Sequence, residues 1–356
     1  MWFKNLALFQ FTENFTVSAE ALEKQLAEHA FSPCSTSAPI SMGWVSPMAQ
    51  DMPLVHAASG FMMVSFKIQE KMVPAGVIKE ILDEKVEEIE LRESRKVKKK
   101  EKDTLKEEIY QSLLPRAFTR NTVINGYIDT QAGWLIVNAS SAKKADTLTV
   151  NLRKALGSLK IRIPEVLPVS MLLTQWLKTN EYPQDLTIED QCVLQDNKDA
   201  SGIIRCQRQN LFTDDILSLI DSGREVIQLG LSWQDQLSFV INDEFMLKSL
   251  KFLEVVQDKA NDIVSETKQE RFDADFIIMA ETLREFIDFM MQIFAKEAQE
   301  IEASDTTNAM TDMSPIENGE EISQAHDEDD APWEENEATD DTLDTSVGIS
   351  VDHQNQ

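Results

Sequence analysis

The sequence predicts an α+β fold, on three observations. Between Gly76 and Pro115 there is neither glycine nor proline, and the run is rich in Glu, Lys, Leu and Ile, which is strong helix-forming material. On either side of it lie short apolar segments bounded by turn residues, among them 61–68 and 122–129, which read as strands. The chain has 356 residues, 42% of them apolar, enough to bury a sizeable core in two or three domains.

In chain order, residues 2–11 read as a first strand. A helix over 18–28 follows, with Ser18 as its cap and Glu20 in its first turn. Residues 31–60 carry Pro33, Pro39, Pro47 and Pro53 and read as loop. After the strand at 61–68, a break at 74–76 leads into the helical segment 77–120. Its beginning has Ile78, Leu82, Val86 and Ile89 at spacings of four and three, and its end has Leu105, Ile109 and Leu113, the stripes of a packed helix. Between Glu90 and Thr104 only Leu91 and Val97 are large and apolar. That stretch holds Arg92, Arg95, Lys96 and Lys99, and then Lys102 and Lys106. On one continuous helix these six cations fall within about 120° of arc. A protruding helix or helical hairpin with such a face suits a polyanion. The competing reading is a solvated helix laced with Glu–Lys pairs.

Beyond Arg120, strands at 122–129 and 134–138 flank Gln131-Ala132-Gly133 as a hairpin. Ser140 or Ser141 caps a helix that Gly157 stops. Pro164 and Pro168 mark a boundary. A second body follows: a helix at 171–178, strands at 186–194 and 203–208, and a helix from Thr213 to Gly223. Strands at 226–233, 237–241 and 247–252 complete it. Residues 253–300 return to helix, with Leu283, Phe286, Ile287, Met290 and Phe294 on one side. From 301 the chain is acidic, rich in Ser, Thr and Asn and without periodicity, and a disordered tail is expected over 301–356.

The net charge of −28 is unevenly distributed. Residues 301–356 contain 17 Asp or Glu and no Lys or Arg, leaving 45 acids against 34 bases in residues 1–300. Within 91–120, ten bases face five acids, so a basic patch sits on an acidic body and the total does not exclude a DNA-binding surface. Cys34, Cys192 and Cys206 are far apart in sequence and form no CxxC motif, as expected in a reducing cytosol. The first residues, MWFKNLALFQF, read as a strand and not as a signal peptide, and no apolar run approaches a membrane span. A cytoplasmic protein without membrane contact is expected. No GxG and no GxxxxGK[ST] occurs, so dinucleotide and ATP-motor fingerprints are missing. His29 and His56 have no His or Cys at metal-ligand spacing, and His326 and His353 lie in the tail. No cofactor, metal or catalytic residue is expected.

Several stretches together resemble the RdgC family of recombination-associated proteins. They are WFKNL at the start, FSPC and MGWVSPM within 31–48, and the Lys-rich run into SLLPRAFTR at 112–120. SAKKA at 141–145, LRKALGSL at 152–159 and RFDADFIIM at 271–279 complete the set, spread in family order over residues 1–300. The resemblance implies a non-enzymatic protein that binds DNA with little sequence preference. It implies a ring-shaped homodimer that encircles duplex DNA, associates with the nucleoid and limits access of the RecA recombinase. Single-stranded DNA stays open as a second target.

The implied organisation is a central body (1–75 and 121–165, joined by a helical return at 273–300), a helical tip at 76–120 and a base body at 166–272. Ring closure runs tip to tip and base to base. Candidate phosphate contacts are the six cations of the tip, Arg116 beside them, Lys143 and Lys144 at a helix start, and Arg205 and Arg208 around Cys206. Phe118, in the matching PRAF motif, is a candidate contact at the gate between subunits, with a core anchor as its alternative. An adaptor that uses 77–114 as a coiled coil is a rival reading, weakened because the apolar stripe lapses for about two turns. A nuclease built from scattered acids is a second. The tail reads as solubilising or as a competitor of phosphate for the basic surface; its Asp329-Asp330-Ala331-Pro332-Trp333 resembles the acidic tip of single-stranded DNA-binding proteins.

Overall fold

The computed structural model describes residues 2–49, 52–197, 201–263 and 265–311. It is α+β, with two antiparallel sheets. The first half of the chain gives β1 (Ala7–Phe11), α1 (Ala19–Ala27), β2 (Ile40–Val45), β3 (Val55–Ala58) and β4 (Phe61–Met72). Then come α2 (Ala75–Glu93), α3 (Lys99–Leu113), β5 (Phe118–Asp129), β6 (Trp134–Val137), α4 (Ala142–Leu156) and β7 (Ile161–Arg162). The second half gives α5 (Val169–Thr179), β8 (Leu186–Asp196), β9 (Ile203–Gln207), α6 (Asp214–Asp221) and β10 (Arg224–Trp233). It ends with β11 (Leu237–Asn242), β12 (Leu247–Phe252), α7 (Glu254–Asn261) and α8 (Lys268–Thr311).

The seven-stranded sheet has the order β2-β4-β5-β6-β1-β7, with β3 beside β2 on β4. The five-stranded sheet has the order β12-β11-β10-β8-β9. The Pro-marked boundary at 164–168 falls between the last strand of one sheet and the first helix of the other half. The two sheets nevertheless share a core. Phe276, Met279, Leu283, Phe286, Met290 and Phe294 of α8 form its spine, with Phe61 and Tyr127 on one side and Leu231 and Phe239 on the other. The periodic apolar face expected at 283–294 is thus a core face, buried on two sides. The opposite face of the seven-stranded sheet is covered by α1, through Leu22 and Leu26, and by α4, through Leu148 and Leu152.

Arg284 adds a polar tie between α8 and the β5–β6 turn. Its Nε and Nη2 donate to the two oxygens of the buried Asp129 at 2.6 and 2.8 Å, and its Nη1 donates to Gln131 at 3.0 Å. Asp129 also accepts the backbone N–H groups of Gln131 and Ala132, which fixes the turn.

Several expectations change. Strand geometry starts at Ala7 and not at residue 2: Asn138 Oδ1 accepts the N–H groups of Lys4 and Asn5, and Leu6 and Lys4 make isolated backbone bonds to Leu247 and Leu250 of β12. The expected loop at 31–60 contains β2 and β3, both paired to β4. Its prolines lie outside those strands, where no ladder N–H is needed. Gly43 in β2 lets the backbone of Phe31 approach, where a Cβ would collide with it. The helical segment 77–120 is two helices joined by a turn, and β5 begins at Phe118 within that range. Helix α8 continues to Thr311, past the residue where the tail was expected to start; residues 312–356, with the Asp329–Trp333 motif, lie outside the described residues. Among the described residues, no helix is long and apolar enough to cross a membrane.

Candidate nucleic-acid interface

Strands β4 and β5 pair over twelve rungs, from Phe61↔Asp129 to Met72↔Phe118. At about 3.4 Å per residue this ribbon is roughly 37 Å long. Its inner end is core. Its outer end carries the α2–α3 hairpin, so topology puts the basic segment at the far end of a long two-stranded arm.

Ser94 ends α2 in the left-handed region, at φ 51°, and reverses the chain. Val97 is buried at the turn, and its N–H donates to Glu90 Oε1 at 3.0 Å. The reversal corrects the expected arc: Arg92 lies on α2, Arg95 and Lys96 in the connection, and Lys99, Lys102 and Lys106 on α3. The six cations do not share one helical face.

They divide by chemistry as well. Arg92 bonds Glu93 at 3.1 Å, and Lys96 bonds Glu90 at 2.9 Å. Arg95 reaches Glu93 at 2.7 Å and clamps both oxygens of Glu101 at 2.8 Å. The hydrogen bond from Lys96 holds Glu90 below the usual carboxylate range. Arg92 and Arg95 do the same for Glu93, and Arg95 for Glu101. These three cations serve the turn. Lys99, Lys102 and Lys106 are exposed, sit within about 60° of arc on α3, and make no ion pair among the described residues.

Helix α3 begins unfavourably for an isolated helix. Lys98 stands at the N-cap without a side-chain cap bond, and Lys99, Lys100 and Lys102 follow at the positive end of the helix dipole, offset only by Glu101. Each such cation costs roughly 0.3–1 kcal/mol unless an anion is near. Helix α4 repeats the pattern: Ser141 makes no cap bond, no acid stands in the first turn, and Lys143 and Lys144 are exposed there. Helix α4 packs Leu148 against Gly126, eight rungs from Phe118 along the ribbon, so its lysines belong to the inner end and not to the hairpin.

Arg116 is exposed in the turn between α3 and β5. Arg205 lies on edge strand β9 opposite Val193, with its side chain on the face away from the buried Cys206, and Arg208 follows the strand at φ 56°. Arg205 and Lys248 line a cavity of about 200 Å³ with Gln191 and Gln228, on the face of this sheet turned away from α8. Lys248 was not singled out in sequence, because it stands in a short strand of mixed apolar and polar residues with no basic cluster around it.

Phe118 is 87% exposed, which excludes a core anchor among the described residues. Opposite it stands Met72, and along the same sheet face lie Met42 and Ile40, all exposed. Further along this face Trp44, Phe66 and Ile124 are buried under α1 and α4. The helices cover only the inner part of the ribbon and leave its outer part with exposed apolar side chains on either side of the Glu70–Arg120 rung, which faces the same way. The alternation of Ile40 with Met42, and of Ile68 with Met72, is the sequence signal for them. Among the described residues, no three His, Cys, Asp or Glu side chains gather as a metal-holding group.

Comparison with known proteins places this architecture. The family model described as "Putative exonuclease, RdgC" matches residues 1–297. A protein of Aeromonas hydrophila named recombination-associated protein RdgC is 40% identical over 304 residues, 85% of this chain and 100% of the relative. Its namesakes in Tolumonas auensis and Psychromonas ingrahamii are 41% and 40% identical over 303 and 300 residues, covering 84% and 83% of this chain and 100% and 99% of theirs. With its matched region spanning both sheets, the basic hairpin and most of α8, the chain belongs to the RdgC family of recombination-associated proteins.

Proposed function

We propose that the protein binds DNA through its phosphates, without reading bases, and acts in recombination by occupying DNA that a recombinase would otherwise coat. The observation that carries this reading is the set Lys99, Lys102 and Lys106, exposed, without an ion pair among the described residues, and clustered on one side of α3 at the end of the β4–β5 arm. Phosphate recognition needs only cations that are free to exchange water and counterions for phosphate oxygens. Arg116, Lys143, Lys144, Arg205 and Arg208 are further exposed cations that support the same reading. Arg92, Arg95 and Lys96 support it indirectly, by shaping the turn that presents α3.

The exposed apolar side chains of Phe118, Met72, Met42 and Ile40 support a subunit contact at the arm's end, and with it a homodimer that closes around duplex DNA. A closed ring would limit access of RecA by occupying the duplex. The test is equilibrium binding of unrelated duplexes and single strands across a salt series. A steep, sequence-independent salt slope is expected; a flat one refutes the reading. The family description favours a second reading, an exonuclease. Incubation with magnesium and end-labelled DNA separates the two, since binding alone leaves the DNA length unchanged.

A further inference from the structure

Cys192 and Cys206 are separated by a hairpin in sequence but are direct partners across the β8–β9 ladder. Residues opposed in an antiparallel pair have Cα atoms about 4.5 or 5.5 Å apart and side chains on the same face. Both separations fall inside the range that a disulfide spans, roughly 4.4–6.8 Å. The two thiols are free, are 3% and 6% exposed, and are joined by a side-chain hydrogen bond. A bond between their sulfurs therefore needs side-chain rotation and only a small local closing of the two strands.

We propose that Cys192 and Cys206 are a modification site: a dithiol that a hydroperoxide converts reversibly into a cross-strand disulfide, stapling edge strand β9 to β8. Access comes from the place of β9 in its sheet. Strand β9 is the edge, with only five residues held by β8 alone, so it opens at lower cost than the centre and brings the two buried thiols to a small peroxide. Burial raises the pKa of the Cys192 thiol, and Cys206, on the edge strand, is the one that opening of β9 exposes first.

The chemistry balances. The Cys206 thiolate attacks one peroxide oxygen, the O–O bond breaks, and the departing hydroxide takes up the thiol proton as water. Cys192 sulfur then displaces the hydroxyl of the resulting sulfenic acid; its own proton leaves with that hydroxyl as a second water. Two thiols lose two electrons and the peroxide gains them. A thiol reductant reverses the second bond by exchange. The product fixes the strand that carries Arg205, so oxidation would rigidify one edge of the base sheet. This inference does not depend on DNA binding.

The test uses the full chain, purified under reductant and treated with hydrogen peroxide in native buffer. Non-reducing peptide mapping is expected to show a Cys192–Cys206 cross-link, lighter by two hydrogens and removed by dithiothreitol. Cys34→Ser leaves its yield unchanged, whereas Cys192→Ser halts at a Cys206 sulfenic acid that a cyclic dione traps. Amide exchange across residues 203–207 should slow at least tenfold or so in the oxidised protein. Oxidation confined to Cys34, or a cross-link formed only in urea, overturns the proposal.

Discussion

Replacing Lys99, Lys102 and Lys106 together by Gln separates a phosphate-binding face from a merely solvated one. The substitution keeps a polar side chain and the helix propensity and removes three charges that form no ion pair among the described residues. It also relieves the unfavourable charge at the N-terminal end of α3, so the fold is not put at risk. If each lysine neutralises one phosphate, the slope of log K against log salt flattens by about 0.9 per contact, roughly 2.7 in all. Between 50 and 200 mM salt, the native protein should then lose about 40-fold more affinity than the variant. Fluorescence anisotropy with two duplexes of unrelated sequence measures both slopes, and the flattening should be the same for each. The matching control replaces Arg92, Arg95 and Lys96, which are already committed to Glu90, Glu93 and Glu101. Its slope should change by less than about one unit. An unchanged slope in the folded Lys variant would refute the assignment of α3.

Three further outcomes follow from the geometry. Phe118→Ala should shift stability by no more than about 0.5 kcal/mol, because the ring is exposed, while lowering the mass seen in sedimentation and loosening retention on circular DNA; a large fall in Tm with unchanged mass contradicts this. Arg284→Ala leaves the buried carboxylate of Asp129 without its cation and held only by the Gln131 and Ala132 N–H groups, and urea unfolding should register a loss of up to about 3–5 kcal/mol. His56, packed against Phe272 and Phe276 with Nε2 3.0 Å from Asp273, is held below its ordinary 6.5 by burial, which outweighs the carboxylate. The unfolded chain then takes up the proton first, so stability should be full above pH 6.5 and fall as pH drops toward the lower folded value; His56→Gln should flatten that limb, and a parallel pH profile for the two proteins counts against it.

Features that are local or strongly periodic can be read along the chain. The α+β class, the apolar face of α8, the Gly157 stop of α4 and the basic character of the 92–106 stretch were all legible, because helix propensity, period and charge are properties of neighbouring residues. Tertiary structure alone decided which of those basic residues are free. Whether Arg95 bonds Glu101 depends on the reversal at Ser94 and the burial of Val97, and a helical wheel drawn through the turn has no knowledge of it. Pairing is equally non-local. Strands β2 and β3 exist because β4 offers a ladder, although their own sequences read as loop. Cys192 meets Cys206 only through the register of β8 on β9. Phe118 is exposed because α1 and α4 are too short to cover the whole β4–β5 ribbon. Coverage is set by the packing of distant elements, which is the one quantity that no window of sequence contains.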